Sequence, residues 1–388
     1  MTSSRALAHV LADCDAATLD CVARLLKRAA EWGWHQRVVC LEPTLLDRVR
    51  SRLGCPVRVA ARRFGWTGLG AVSLRRCVAD LDLRLMLAWG APAAATCRAG
   101  RSDVALAVVL RNLATADRLS RWVRSVPDVG MALVAPSQLL RRRLIEAGAD
   151  PRQCRLIRPP VDFALFRSVD AERVAAELAL PAEAPVLLMP GPPSRTGGHR
   201  YGVWAAGLLQ QRWADVRVIV PGSSQEQRRL RRFAEGIGQA GMTVFTGDRY
   251  DWPELLAVAD VLLVPATGDV DTTPLAWAMA AGVPIIGTAT PAVEELIVGG
   301  RTGLLAEPRV LPSLTSMVMH VMDQQSVRRR IVEQARSLAF ELFSGAGFDA
   351  AYHSLCEELA PRDDPRWAER SGWRSPARLS GDDAAVGG

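Results

Sequence analysis

A chain of 388 residues is long enough for two domains, each with its own core. Hydrophobic residues make up 49% and charged residues 23%, too apolar for disorder, and the net charge of +7 rests on arginine, because Lys27 is the only lysine among 48 basic residues. The longest uncharged run, 272–293, has the length of a bilayer span but is broken by Pro274, Gly282, Pro284, Gly287 and Pro291, so it reads as helix, turn and strand, and the N-terminus has no apolar signal core.

Short apolar runs alternate with helix-length amphipathic segments along the chain. Residues 6–11, 38–41, 57–60, 83–88, 104–109, 131–135 and 155–157 read as strands. Between them, segments such as 16–32 and 113–124 carry apolar residues at helical spacing. Pro159 and Pro160 stiffen a bend, after which a second series begins. Its strands are predicted at 186–189, 216–220, 243–245, 261–264 and 284–287, with helices at 226–236, 252–257, 273–280 and 292–298. Helices near 312–322, 326–338 and 345–359 follow. The rhythm predicts an α/β protein of two consecutive doubly wound domains, with a ligand cleft at the carboxyl ends of their strands.

The expected division is a first domain over 1–162, a second over 163–344, and a helix at 345–360 packing back toward the first. A disordered tail over 361–388, carrying Trp367 and Trp373, completes it. No pair of the eight cysteines has CxxC spacing, which predicts buried thiols in a reducing cytoplasm, and the five histidines show no ligand spacing, so no metal site is expected. Three arginine clusters, at 141–143, 228–232 and 328–330, read as solvated helix faces. No nucleic-acid motif accompanies them, and a peripheral contact with the inner membrane face stays open.

From about Leu133 to Tyr352 the chain resembles the retaining glycosyltransferases of family 4, which have the two-domain GT-B fold. The resemblance rests on an ordered set of segments. They are 132–144, 148–152, Ile157-Arg-Pro-Pro-Val-Asp162 with Phe166, Val186-Leu-Leu-Met-Pro-Gly191, Val244-Phe-Thr-Gly-Asp248 and Ala259-Asp-Val-Leu-Leu-Val-Pro265. Then come Pro274 to Gly287, Glu294-Glu295 and Gly300-Arg-Thr-Gly-Leu-Leu305. The resemblance implies a donor nucleotide sugar on the second domain as substrate, no further cofactor, and a glycan, lipid or small-molecule acceptor on the first.

By the same resemblance, the donor diphosphate would meet the turn before the helix at 273–280. There Thr272 and Thr273 supply N–H and hydroxyl donors and Pro274 fits the first turn. The family's two glutamates, eight residues apart, fall on Asp269 and Trp277, and its arginine and lysine fall on Pro192 and Gly197. Arg195, His199 or Arg200 would then replace the missing cations beside Gly191, and Asp248 and Arg249 would lie near the base. A carboxylate about 5 Å from a phosphate charge costs on the order of 3 kcal/mol at an effective dielectric near 20, so Asp271 should face solvent or an arginine such as Arg249. The family's glycine-rich loop falls on residues 13–18, which hold no glycine, and no histidine follows Ala88 or Leu110 where one is expected. Asp269 is the remaining acidic candidate for catalysis. The implied function is metal-independent, retaining sugar transfer in the cytoplasm. The alternative is a catalytically inactive relative that binds a nucleotide, glycan or protein partner.

Overall fold

The computed structural model describes residues 5–12, 14–60, 67–110, 131–249 and 251–361. The helix expected at 113–124, Asp13 of the glycine-free loop, the Arg111–Asn112 pair and the tail from 362 onward lie outside the described residues.

The first sheet has seven parallel strands: β1 (Ala6–Leu11), β2 (His35–Cys40), β3 (Val57–Val59), β4 (Leu83–Trp89), β5 (Ala105–Val109), β6 (Met131–Ala135) and β7 (Cys154–Leu156). Their order is β3-β2-β1-β4-β5-β6-β7. The second has six: β8 (Val186–Leu188), β9 (Arg217–Val220), β10 (Thr243–Phe245), β11 (Val261–Val264), β12 (Ile285–Thr288) and β13 (Leu304–Ala306), in the order β10-β9-β8-β11-β12-β13. Both sheets are parallel throughout, with helices on both faces, which is why strands such as Val261-Leu-Leu-Val264 are apolar at every position. Strand order reverses between β1 and β4 and again between β8 and β11, so each sheet has a crevice at its carboxyl edge.

Each sheet carries a core on either face. Leu7, Leu11 and Trp89 belong to one core of the first sheet, and Leu187, Val218 and Leu263 to one core of the second. The helix Gly345–Leu359, capped by Ser344, buries Phe348, Tyr352, Leu355 and Cys356 in that first-sheet core. Arg24 pairs with Asp349 at 2.6 Å, and Arg5 bonds Glu357 and the carbonyl of Ala360, fixing both ends of the helix. The chain therefore crosses between the sheets twice, at 157–161 and after Phe343. At the crossings the N–H of Val161 donates to the carbonyl of Phe343 at 2.9 Å.

All eight cysteines are free thiols and all but Cys55 are buried. The arginine clusters are not uniformly solvated: Arg141 donates to the Cys154 carbonyl, Arg231 lies over the Phe245 ring and Arg328 pairs with Asp260. Among the described residues, no helix is long and apolar enough to cross a membrane.

Candidate active site in the interdomain cleft

Four chain turns at the carboxyl ends of strands converge on one cavity of about 530 Å³. From the first domain come Pro136, Ser137 and Leu140 after β6 and Pro159 to Val161 after β7. From the second come Pro190, Gly191, Pro192, Ser194, Thr196, Gly197 and His199 after β8, and Asp269 to Pro274, Ala276 and Trp277 after β11. Thus Gly191, Asp269, Thr272, Thr273 and Trp277 share one cavity, whereas Arg195, Arg200, Asp248 and Arg249 do not line it.

Close backbone packing builds the second-domain wall. A Cβ on Gly191 would sit 1.6 Å from the Pro221 carbonyl oxygen, and one on Gly198, at φ +65°, 1.7 Å from the Pro265 carbonyl oxygen. The N–H of Thr267 donates to the Thr196 carbonyl at 2.7 Å, tying the loop after β8 to the loop after β11.

The helix Thr273–Ala281 points its N-terminus at the cavity, but that end is already partnered. Asp271 Oδ1 accepts from the Thr273 N–H at 2.9 Å and from its hydroxyl at 2.8 Å. Pro274 has no N–H, and the Leu275 and Ala276 N–H groups bond the Thr272 carbonyl. Asp271 thus serves as the helix's own anion. Trp277, half-buried, packs edge-on against Phe166 with ring centroids 5.8 Å apart.

His199 is 5% exposed, and burial pushes its imidazole down to about 4, so the ring is neutral at physiological pH. Its Nε2 lies 2.6 Å from the Pro190 carbonyl. A carbonyl only accepts, so Nε2 carries the proton and Nδ1 presents a lone pair. Buried Nδ1 has no partner among the described residues.

The other predicted residues are engaged elsewhere. Arg200 lies over the Phe233 ring at 4.5 Å, and Arg195 is exposed on the loop after β8. Asp248 accepts from the Ser223 N–H at 3.0 Å. Arg249 pairs with Asp251 at 2.9 Å, with Glu177 at 3.0 Å and with Glu254. Those bonds, that to Asp251 first, hold the guanidinium protonated beyond its ordinary range. Asp269 meets Arg143, of the first-domain helix Gln138–Glu146, at 3.6 Å.

Sequence reasoning placed Glu295 in a motif without a role. Its carboxylate accepts the N–H groups of Gln138 and Leu139 at 2.8 and 2.9 Å and pairs with Arg158 at 2.9 Å. A second-domain glutamate thereby caps a first-domain helix beside the cavity. Ser137, followed by an apolar helical pattern, is a readable cap signal at that helix start, and its hydroxyl accepts from the Leu140 N–H. Among the described residues, no cluster of three or more His, Cys, Asp or Glu side chains is arranged to hold a metal.

Residues 184–324 match the model of the family described as Glycosyl transferases group 1. The chain is 25% identical over 150 residues to N-acetyl-alpha-D-glucosaminyl L-malate synthase of Bacillus anthracis, covering 39% of each protein. It is 27% identical over 238 residues to a D-inositol 3-phosphate glycosyltransferase of Nocardioides, covering 56% of this chain and 52% of that one. The chain thus spans about half or less of the length of these relatives. In three dimensions it is similar to Anabaena Alr3699/HepE in complex with UDP and glucose, with a TM-score of 0.78 at 17% identity over 91% of this chain and 99% of the other. The lipopolysaccharide-biosynthesis glycosyltransferase WaaG superposes with a TM-score of 0.66 at 15% identity over 92% and 99%. The chain thus has the GT-B fold of two facing parallel sheets, and its residues 184–324 carry the match to the glycosyl transferases group 1 family.

Proposed function

We propose that the protein is a glycosyltransferase that moves a sugar from a nucleotide-sugar donor to a glycan, lipid or small-molecule acceptor, without a metal and with retention of configuration. The observation that carries this reading is the cavity itself. It lies at the carboxyl edges of two parallel sheets, between the family-matched domain and a separate first domain, which suits a donor on one wall and an acceptor on the other. The UDP-bearing neighbour and the glycosyltransferase relatives make UDP-sugars the first donors to try.

In this reading Gly191, Thr272, Thr273 and Trp277 border the donor, and Asp269 faces the reacting sugar. Exposed Arg195 turns in from the loop after β8 to stabilise the leaving diphosphate, the electrostatic contribution that dominates such transfers. Arg200, Asp248 and Arg249 would join the donor only by breaking the contacts described above. The acceptor side comprises Pro136, Ser137 and Leu140. Catalysis takes place in the cytoplasm, where nucleotide sugars are the donors.

One observation favours a second reading, a binding-only relative. The described cavity wall carries two carboxylates, Asp269 and Asp271, and no arginine or lysine. A panel of nucleoside-diphosphate sugars separates the readings. A true donor present at a hundredfold excess over its Kd stabilises the protein by about 2.7 kcal/mol and is consumed when an acceptor is added. A melting shift without consumption supports the binding-only reading, and no shift with any donor or nucleotide overturns the transferase.

A further inference from the structure

We propose that Arg143 is a donor-binding residue: the first domain carries its guanidinium across the cleft, where it leaves Asp269 to neutralise the diphosphate opposite Arg195. The inference rests on the nucleotide-sugar reading above and adds to it a cation from the domain that would hold the acceptor.

Three features place Arg143 in this role. Its guanidinium already reaches the cavity wall, 3.6 Å from Asp269. Its helix is held at that wall. Glu295 caps the Gln138 and Leu139 N–H groups from the second domain, and Ser137 and Leu140 of the same segment line the cavity. The same wall can also receive the sugar that the diphosphate carries: the buried Nδ1 of His199, a lone pair with no partner among the described residues, accepts from a hydroxyl.

Charge and geometry then favour exchange. The Arg143–Asp269 contact is long and half-exposed, the kind of pair that contributes little and separates easily. A diphosphate offers the planar fork paired acceptor oxygens and more charge than one carboxylate. An arginine stays protonated throughout, so the exchange needs no proton transfer. Asp269 thus holds Arg143 at the cavity wall and is freed when the phosphates arrive. The exchange also links the two domains through the donor: a guanidinium from the first and Arg195 from the second grip the same anion.

The test uses the full chain with inorganic pyrophosphate, UDP and uridine as calorimetric probes, on wild type, Arg143→Gln and Asp269→Asn. Pyrophosphate reads the anion site whatever the base, and uridine reads the base site without phosphate. Arg143→Gln should weaken pyrophosphate and UDP about 10- to 100-fold, leave uridine unchanged and reduce the salt dependence of UDP binding. Asp269→Asn should tighten both anions, because it releases the guanidinium. Arg143 is half-exposed and its replacement should fold, and Asp269→Asn tests the same exchange from the other side. Wild-type affinity of Arg143→Gln for both anions overturns the proposal, as does equal loss of anion binding in the two variants. If sugar donors still bind and turn over in wild type when either result is found, the transferase reading stands and only the role of Arg143 falls. No binding of any nucleotide or pyrophosphate to wild type removes both.

Discussion

Glu295 and Arg158 form an ion pair at 2.9 Å in which the side chains are only 8% and 14% exposed, and the pair lies where the two domains meet. The same carboxylate caps the helix Gln138–Glu146. Glu295→Ala should therefore leave a buried guanidinium unpaired and a helix uncapped, a loss of about 3–5 kcal/mol. The denaturant midpoint, compared with that of the Arg158→Met/Glu295→Met double variant, measures it. The double variant should recover part of the loss, and a single-variant effect below about 1 kcal/mol would show that the latch contributes little.

Acid should destabilise the fold through two histidines. Burial lowers His199 to about 4 and His9, fully enclosed beside Trp89, also to about 4. In the unfolded chain both titrate near 6.5. Between those values the unfolded state binds more protons, so stability is full above about pH 6.5 and is lost as pH falls toward 4. Each shift is worth at most about 3 kcal/mol. Melting temperature followed from pH 7 to pH 4 should fall less steeply in His9→Gln and in His199→Gln than in wild type. Parallel curves would remove these histidines as the cause.

Gly198→Ala tests how tightly the loop after β8 is packed against the loop after β11. The added methyl would meet the Pro265 carbonyl oxygen at 1.7 Å, at a left-handed backbone position. The expected cost is about 2–4 kcal/mol from clash and backbone strain together, read as a fall in the denaturant midpoint. Gly236→Ala, where no atom lies within 4 Å of the new methyl and the residue is helical, is the matched control and should be near neutral or stabilising.

Tyr352 should prove a main anchor of the last helix. It is 1% exposed, with Phe348 4.7 Å and Trp89 6.4 Å away between ring centroids. Tyr352→Ala should cost about 3–5 kcal/mol and raise the hydrogen exchange of amides in Gly345–Leu359 more than in the second sheet. Uniform exchange in both sheets would argue that the helix is not a separate anchor.

The sheets were the most legible part of the sequence. The apolar runs at 6–11, 131–135, 243–245 and 261–264 coincide with β1, β6, β10 and β11, because strands buried on both faces leave continuous apolar signatures. Boundaries slipped where a side chain intervened. The helix expected at 292–298 spans only Pro291–Glu294, because Thr302 donates to the Leu296 carbonyl and accepts the Val298 N–H, which turns the chain. The helix His199–Leu209 and the three-residue β13 carried too little periodicity to stand out. At the site, Asp269, Thr272, Thr273 and Trp277 lie on one turn, so their proximity is local and readable. The long-range partners are not: Glu177, which joins the nearby Asp251 and Glu254 on Arg249, lies 72 residues from it, and Gln138 lies 157 residues from Glu295. Neither distance leaves a trace in local pattern. Of the two surroundings expected for Asp271, solvent is the one found: it is exposed and caps its own helix, while Asp251, Glu254 and Glu177 hold Arg249.

The hydrogen bond from Val161 to Phe343 joins the two places where the backbone passes between domains, and both residues also line the cavity. Two backbone passages joined at one point leave a single pivot between the domains, about which any relative bending must turn. Since Val161 and Phe343 are part of the cavity wall, a molecule held in the cleft lies against that pivot.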